Sequence, residues 1–333
     1  MRLAIADAET LATGALVACG TRRENALATA RALVRADIDG QRGHGLNRLP
    51  YYAAQATSGK VNGQAMPDVQ PAAPALLRVD AGCGFAYPAI AAAIERLGPL
   101  ARSQGIAAAV IRRSHHFGQA GAHAEALAAA GLIGLTLGNS PKAMAFWGGK
   151  RPMMGTNPIG FAAPIKGQPP LVIDLATSQV ARGKVMAAKR AGEPIPEGWA
   201  LDADGNPTTD PEAALAGTMA PMGGAKGAAL AMMIEVLAAS LSGSAFGFEA
   251  GSFFDAEGDP PDMGHLLIAI DPGAASGGAF AERMMTLVAA IEAEEGARLP
   301  GGRRLALREA AQRDGLNIAD ALYAEITELT HGG

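Results

Sequence analysis

The sequence predicts an α/β fold, and three observations carry that expectation. Apolar runs of strand length, among them Ala107 to Ile111 and Gly131 to Leu137, alternate with longer stretches whose apolar residues recur at helical spacing. Polar clusters stand just beyond those runs, Arg113-Ser114-His115-His116-Phe117-Gly118 after the first and Asn139-Ser140 after the second. Rigid strands that end in polar loops are where α/β enzymes place their chemistry. The composition agrees: 333 residues, 49% hydrophobic and 18% charged, suffice for a substantial core in one large or two ordinary domains.

In chain order, Asp7 is placed to cap a first helix running to about Cys19. Thr21-Arg22-Arg23-Glu24 has the form of a capping box for a second helix, which buries Ala26, Ala30, Leu33 and Val34 and ends near Ile38. The segment Asp39 to Pro50 then sets glycines around His44, with Arg42 and Arg48 on either side. It reads either as a ligand-approaching turn, with His44 and Arg48 sharing a helical face, or as a solvated loop.

Tyr51 to Gly63 reads as a short amphipathic helix with a glycine stop, and Pro67 to Pro74 as a connector. Leu76 to Asp80 is a predicted strand and Pro88 to Ser103 a helix. Further strands follow at Leu132 to Leu137, Ile159 to Ala163, Leu171 to Ile173 and His265 to Ile270. Ala181-Arg182-Gly183-Lys184 leads into another helix, and Asp202-Ala203-Asp204-Gly205 is a turn signal whose calcium-loop likeness fails at Ala213, where a closing glutamate would stand.

Pro221-Met222-Gly223-Gly224-Ala225-Lys226-Gly227 opens an apolar helix and is either a phosphate cradle at a helix N-terminus or a structural turn. Phe280, Met284, Leu287 and Ile291 mark a C-terminal helix. Leu299-Pro300-Gly301-Gly302-Arg303-Arg304 is a second glycine turn with two guanidiniums.

Several function classes are set aside. The net charge of −4, with no basic blocks, argues against nucleic acid as a partner. Cys19 and Cys83 are too few for a disulfide framework or a zinc site, and neither sits in a nucleophile motif. Asp7 and Glu9 exclude a signal peptide, and Gly227 to Ser242 is too short to span a bilayer. A cytoplasmic, membrane-free protein is expected. No histidine, cysteine or carboxylate cluster has metal spacing, so no metal is expected. The G-x-S-x-G elbow is missing. So is the G-x-G-x-x-G dinucleotide fingerprint: after Gly82 and Gly84, Tyr87 stands where the third glycine belongs. What remains, several imidazoles, an arginine and two anion-friendly turns, suits a phosphate-bearing cofactor beside a small carboxylate, with histidine moving the proton.

Eight motifs in order then carry a resemblance over nearly the whole chain. They are Gly43-His44-Gly45-x-x-Arg48-Leu49-Pro50, His116-Phe117-Gly118, Gly148-Gly149, Gly155-Thr156-Asn157-Pro158, Asp174-x-Ala176-Thr177-Ser178, Ala181-Arg182-Gly183-Lys184, Ile195-Pro196-x-Gly198-Trp199 and Pro221-x-Gly223-Gly224-x-Lys226-Gly227. The chain resembles the type 2 malate/L-lactate dehydrogenase family. That family includes ureidoglycolate and sulfolactate dehydrogenases and the Δ1-piperideine-2-carboxylate and Δ1-pyrroline-2-carboxylate reductases.

The resemblance implies a non-Rossmann, three-layer α/β/α fold of the sulfolactate dehydrogenase kind, with a mixed, largely antiparallel sheet, and a homodimer. Residues 1–70 with 275–333 would form a helical part and residues 71–274 the sheet-bearing, cofactor-binding part, with the active site between them. Carried over by position, His44 is the expected proton donor, and His116 stands where some members place an acid/base histidine. Arg48, Thr156, Arg182 and Gly183 are the expected substrate contacts. Cofactor contacts fall on Phe117, Gly118, Gln119, Ala120, Gly121, Ser140, Asp174, Leu175, Ala176, Gly224, Ala225, Gly301, Gly302, Arg303 and Arg304.

Arg303-Arg304 suits a 2′-phosphate, which favours NADPH over NADH. Two positions depart from the pattern: Gly43 replaces the usual serine, and Lys184 the aspartate that imine reductases pair with it. Another group must therefore orient His44, or His116 carries the proton. The runs around Tyr51 to Gly63 and Ala145 to Pro164 resemble the imine reductases more than the malate enzymes. The expected activity is NAD(P)H-dependent hydride transfer to C2 of a small 2-imino acid (Δ1-pyrroline- or Δ1-piperideine-2-carboxylate) or 2-oxo acid. Two readings compete with it: a malate/L-lactate-type 2-hydroxy acid dehydrogenase, and a non-catalytic nucleotide-binding relic.

Overall fold

A computed structural model gives the fold and describes residues 1–331. In chain order the elements are β1 (Arg2–Leu3), α1 (Ile5–Ala18), α2 (Arg23–Ile38), α3 (Leu49–Ser58), β2 (Asp68–Ala73), β3 (Leu76–Asp80), α4 (Ala86–Gln104), β4 (Ile106–Ser114), α5 (Ala120–Ala129), β5 (Ile133–Gly138), β6 (Ile159–Ile165) and β7 (Gln168–Leu175). There follow α6 (Arg182–Ala191), β8 (Ala200–Leu201), β9 (Pro207–Thr208), α7 (Pro211–Ala216), β10 (Thr218–Met219), α8 (Ala225–Glu235), β11 (Met263–Ile270), α9 (Pro272–Ser276), α10 (Phe280–Glu292), α11 (Gly302–Asp314), β12 (Leu316–Asn317) and α12 (Asp320–Leu329).

Seven strands form the main sheet in the order β2-β3-β4-β11-β5-β6-β7. Only β3 and β4 run parallel; the other pairings are antiparallel. Alternation along each strand splits the core between two faces. Ala107, Ala109, Ile111, Leu267 and Ala269 pack with Ile90 and Leu97 of α4 and Leu127 of α5. Val110, Leu137 and Leu266 pack instead against Ile234 of α8 and Ala238 just beyond it. The result is helix, sheet, helix, as the resemblance implied.

A separate core joins α1, α2 and α3 to the C-terminal residues Ala311, Leu316, Ile318 and Ile326, and β1 pairs with β12. A small third cluster gathers α6, α7 and the β10-β8-β9 sheet through Val185, Ala200, Ala214 and Met219.

Several local expectations are corrected. α1 begins at Ile5, so Asp7 lies inside its first turn. The capping box does not form: Arg22 is the N-cap, Glu24 bonds Arg22 at 2.8 Å, and the Thr21 hydroxyl is buried without a partner among the described residues. α3 starts before Tyr51 and stops at Gly59, whose φ of 81° supplies the left-handed cap. The supposed connector is strand β2, where Pro71 is tolerated because this is an edge strand with a bulge beside it. The apolar helix α8 widens into a π turn over Val236–Ser240 immediately after Glu235.

The register decides where the loops go. β4 and β5 both run antiparallel to β11, which lies between them, so their C-terminal ends reach the same sheet edge. Ser114 pairs with Met263 there, and Gly138 with His265. β6 starts at that edge, with Ile159 opposite Leu137, and β7 ends at it, with Leu175 opposite Ile159. The loops carrying His115 to Gln119, Asn139-Ser140, Gly155 to Pro158, and the residues after Asp174 are thus delivered together.

Candidate active site

At this edge a small cleft is lined by His44, His116, Phe117, Gly118, Asn139, Ser140, Thr156, Pro158 and Phe253. His44 comes from outside the sheet. Its segment forms two 3-10 turns, Arg42–His44 and Leu46–Arg48, that run into α3. The half-buried Asp37 carboxylate holds the junction by accepting from the Leu46 N–H at 2.8 Å. Gly45 makes this possible, because a Cβ there would stand 2.2 Å from Asp37 Oδ1. Burial pushes the Asp37 carboxyl up to about 6. Gly43 is different: no atom lies within 4 Å of where its Cβ would be.

His44 Nδ1 lies 3.0 Å from His116 Nε2, and the two rings stack with 17° between their planes. His116 Nδ1 lies 2.6 Å from the hydroxyl of Tyr52 on α3, which is itself 3.4 Å from that of Tyr87 on α4. His115, the neighbour, turns to Gln55 Oε1 at 2.8 Å. Both histidines also face the Phe253 ring. Burial, then the charge of Arg48, lowers His44 to about 4, and the same causes lower His116 far below the ordinary imidazole value. Both rings are therefore neutral near pH 7.

Arg48 donates from Nε to the Gly43 carbonyl at 2.7 Å, and its guanidinium lies 4.4 Å from the centre of the Phe254 ring. Its Nη1 is buried without a hydrogen-bond partner among the described residues. A buried, unpaired guanidinium N–H is costly and suits an incoming carboxylate. Phe253 and Phe254 belong to a strap fastened to α3 and its C-terminal turn. Gln55, Ser58 and the buried Lys60 all donate to backbone carbonyls of residues 255–257.

Ser140 accepts from the Thr156 N–H at 3.1 Å, and its own N–H donates to Asn157 at 3.3 Å. Beneath them Glu235 is buried and accepts from Asn139, Asn157, Gly155 and Gly247. Burial raises its pKa despite those donors. The loops from β5 and into β6 are thus tied to α8 through one carboxyl group.

The expected cofactor residues divide into three places. Phe117, Gly118 and Ser140 line the cleft. Gln119, Ala120, Gly121, Asp174, Arg304 and Gly301 gather around the start of α5. Gln119 donates to Asp39, and Gln41 to Asp174, at 3.2 Å each. A Cβ on Gly121 would stand 2.7 Å from the Asp174 side chain, so this glycine is filled by Asp174. Burial raises the Asp174 pKa. Leu175 and Ala176 continue from it at the end of β7 toward Thr177, which donates to the Thr156 carbonyl.

Gly224 and Ala225 start α8, where Gly223 and Gly224 have φ of 60° and 66° and no described side chain caps the helix. Gly301, with φ of 101°, starts α11 with its first N–H groups likewise uncapped by a side chain. Arg303 is exposed, while Arg304 is half-buried and its Nε has no partner among the described residues. Two uncapped helix starts and an unpaired guanidinium fit a phosphate-bearing dinucleotide. Arg182 and Gly183 do not line the cleft: Arg182 donates to the Leu215 carbonyl at 3.3 Å. Among the described residues, no three histidine, cysteine or carboxylate side chains are placed to hold a metal ion. None of the described helices is long and apolar enough to cross a membrane.

Tyr52, Gln55, Tyr87, Phe253 and Phe254 were not expected here. Tyr52 had a signal, since His44, Arg48 and Tyr52 follow each other at four-residue spacing. Phe253-Phe254 had none, lying far along the chain in an irregular segment.

A sequence model of the family described as malate/L-lactate dehydrogenase matches residues 3–327. The (2R)-3-sulfolactate dehydrogenase (NADP(+)) of Chromohalobacter salexigens is 55% identical over 324 residues, covering 97% of this chain and 96% of that one. The Δ1-pyrroline-2-carboxylate/Δ1-piperideine-2-carboxylate reductase of Pseudomonas putida is 45% identical, covering 88% and 86%. Among solved structures, Δ1-piperideine-2-carboxylate reductase from Pseudomonas syringae pvar. tomato superposes with a TM-score of 0.93 at 41% identity, covering 99% of each chain.

Proposed function

The chain belongs to the malate/L-lactate dehydrogenase family and is a nicotinamide-dependent oxidoreductase, and on that premise we propose that it exchanges hydride between NADP and C2 of a small 2-oxo or 2-hydroxy acid of the sulfopyruvate/sulfolactate kind. The observation that carries this reading is Arg48, a half-buried guanidinium whose Nη1 is buried and unpaired among the described residues, one short turn from His44. The substrate carboxylate pairs with Arg48. Its negative charge also offsets the charge of Arg48, the smaller of the two causes that lower the His44 pKa. That moves the pKa upward, toward a value at which His44 can give as well as take a proton.

NADPH, when bound, supplies the hydride. Charge then develops on the oxygen at C2, and His44 Nε2–H neutralises it. Phe117, Phe253 and Pro158 wall the cleft with apolar surface, which excludes water and strengthens both interactions. Arg304 is the group we assign to the 2′-phosphate, because its Nε is unpaired and Arg303 is solvated. A homodimer is part of the proposal, supported by exposed Met232, Met233, Val236 and Leu241 on and beyond α8.

Reduction of a cyclic 2-imino acid is the second reading, favoured by the 45% identity to the pyrroline/piperideine-2-carboxylate reductase. Against it stand Gly43 and Lys184, since a serine–histidine–aspartate relay cannot be assembled from these residues. The test follows reduced-nicotinamide absorbance with NADPH and NADH against sulfopyruvate, oxaloacetate, pyruvate and the two cyclic imines. Faster turnover of sulfopyruvate supports the first reading and faster imine turnover the second. Turnover of none overturns both.

A further inference from the structure

We infer that Tyr52 is a positioning residue that sets the tautomers of His116 and His44, so that Nε2 of His44 is the one atom that takes and gives the proton. The inference rests on the oxidoreductase reading above and concerns how that site is held. The geometry is a chain of three contacts: Tyr87 Oη to Tyr52 Oη at 3.4 Å, Tyr52 Oη to His116 Nδ1 at 2.6 Å, and His116 Nε2 to His44 Nδ1 at 3.0 Å. Tyr52 is wholly buried, His116 nearly so, and the contacts span α3, α4, the loop after β4 and the His44 turn.

A neutral imidazole carries one N–H and one lone pair, so each contact fixes the next. When the Tyr52 oxygen accepts from Nδ1–H of His116, Nε2 of His116 is left as a lone pair. That lone pair receives Nδ1–H of His44, and Nε2 of His44 is left bare. The hydrogen of Tyr52 itself turns to the Tyr87 oxygen. In the oxidation direction, the substrate hydroxyl gives its proton to His44 Nε2 as the C2–H electron pair leaves with hydride to NADP+. His44 then carries N–H on both nitrogens while every other hydrogen stays in place. In reduction the same proton returns from Nε2.

The opposite arrangement, with Tyr52 donating to His116, places a hydrogen on Nε2 of His44 in the neutral site and leaves no base for oxidation. Tyr52 thereby fills the orienting role that neither Gly43 nor Lys184 can supply. The titratable groups facing His116 are His44, Arg48, His115 and His265, besides Tyr52, which also bonds Tyr87.

The test compares wild type, Tyr52→Phe and Tyr87→Phe, as full chains saturated with NADP+. Phenylalanine keeps the packing at position 52, and thermal melts establish that each variant folds. Nitrogen-15 NMR of histidine-labelled protein reads the tautomers without any turnover. The expected wild-type signature is a protonated Nδ1 on His116 and on His44, with bare Nε2 on both. Loss of that signature in Tyr52→Phe is also expected. With the best acid found in the substrate panel, oxidation by Tyr52→Phe should fall about 10- to 100-fold in kcat with KM little changed, and its alkaline plateau should move.

Tyr87→Phe removes the acceptor of the Tyr52 hydrogen. It should therefore weaken the Nδ1–H signature of His116 and lower kcat in the same direction as Tyr52→Phe, by a smaller factor. A wild-type Nε2–H tautomer at His116, or a Tyr52→Phe enzyme with wild-type kcat and pH profile, overturns the inference. Wild type without turnover on any acid overturns the activity reading instead, and the NMR signature then still decides the tautomer.

Discussion

His44 and Arg48 are four residues apart, and their 3-10 turns present both to one place: the imidazole stacks on His116 while the guanidinium, anchored on the Gly43 carbonyl, lies against Phe254. One group moves a proton and the other holds a charge, so their losses should read differently. His44→Ala should lower kcat by about 10²- to 10⁴-fold with cofactor affinity unchanged. Steady-state kinetics with separate titration of NADPH fluorescence checks this, and a full-speed variant would transfer the role to His116.

Arg48→Met should act on the acid substrate. Loss of a charge-assisted pair is worth about 1.5–3 kcal/mol, roughly 10- to 200-fold in KM or kcat/KM. The check is to compare each acid with its amide: wild type should discriminate strongly, and the variant should not.

The two glycines beside His44 should behave oppositely. Gly45→Ala drives a Cβ into the Asp37 carboxylate and should displace the His44 turn, lowering both stability and activity. Gly43→Ser meets open space and should change stability by less than about 0.5 kcal/mol. Urea unfolding of the two variants side by side measures the contrast.

Arg308 is 15% exposed and donates to both Asp39 and Glu125, with Asp39 only 1% exposed. Burial raises Asp39, but Arg308 and Arg35 outweigh that and hold its carboxyl below the ordinary value. Arg308→Met leaves the buried Asp39 and the half-buried Glu125 with Arg35 as their shared cation and should cost about 1–3 kcal/mol in urea unfolding. Because Asp39 also receives Gln119, cofactor affinity should weaken in parallel.

Stability should fall as pH drops from about 6.5 toward 4. His44, His115, His116, His123 and His265 are held neutral chiefly by burial, with values of about 4 for His44 and His123 and about 3 for His115 and His265. The unfolded chain protonates them near 6.5, so unfolding takes up protons throughout that window. Asp37, Asp174 and Glu235, raised by burial, act in the opposite sense and offset part of the effect. Urea midpoints at several pH values check the sign; a midpoint that rises on acidification would mean the carboxyl groups dominate.

Much of the site was legible because its residues sit where local pattern changes. The runs ending at Ile111 and Leu137 announced polar loops, and the glycines around His44 announced a special turn. Legibility failed where a partner is remote in sequence. Phe253 and Phe254 reach the site only through a strap fastened by Lys60 and Gln55, and no spacing encodes that. Glu235 stands in an apolar helix with no local pattern to mark its role, yet its carboxyl gathers four donors from three loops. Pro71 suggested a connector because propensity carries no information about which strand lies at an edge.

The position of β11 bears on how the chain acquires its shape during synthesis. β4 and β5 are complete by residue 138, yet neither touches the other, and both wait for Met263–Ile270 to fill the gap between them. Until that strand leaves the ribosome, two strand edges rich in alanine, valine and leucine stay open to pairing with other nascent chains. Closing the sheet therefore depends on a contact very distant in sequence, the kind that slows folding. Truncated translation products ending before residue 263 should be chaperone clients and aggregate, while products only slightly longer than residue 270 should already resist protease across the central strands.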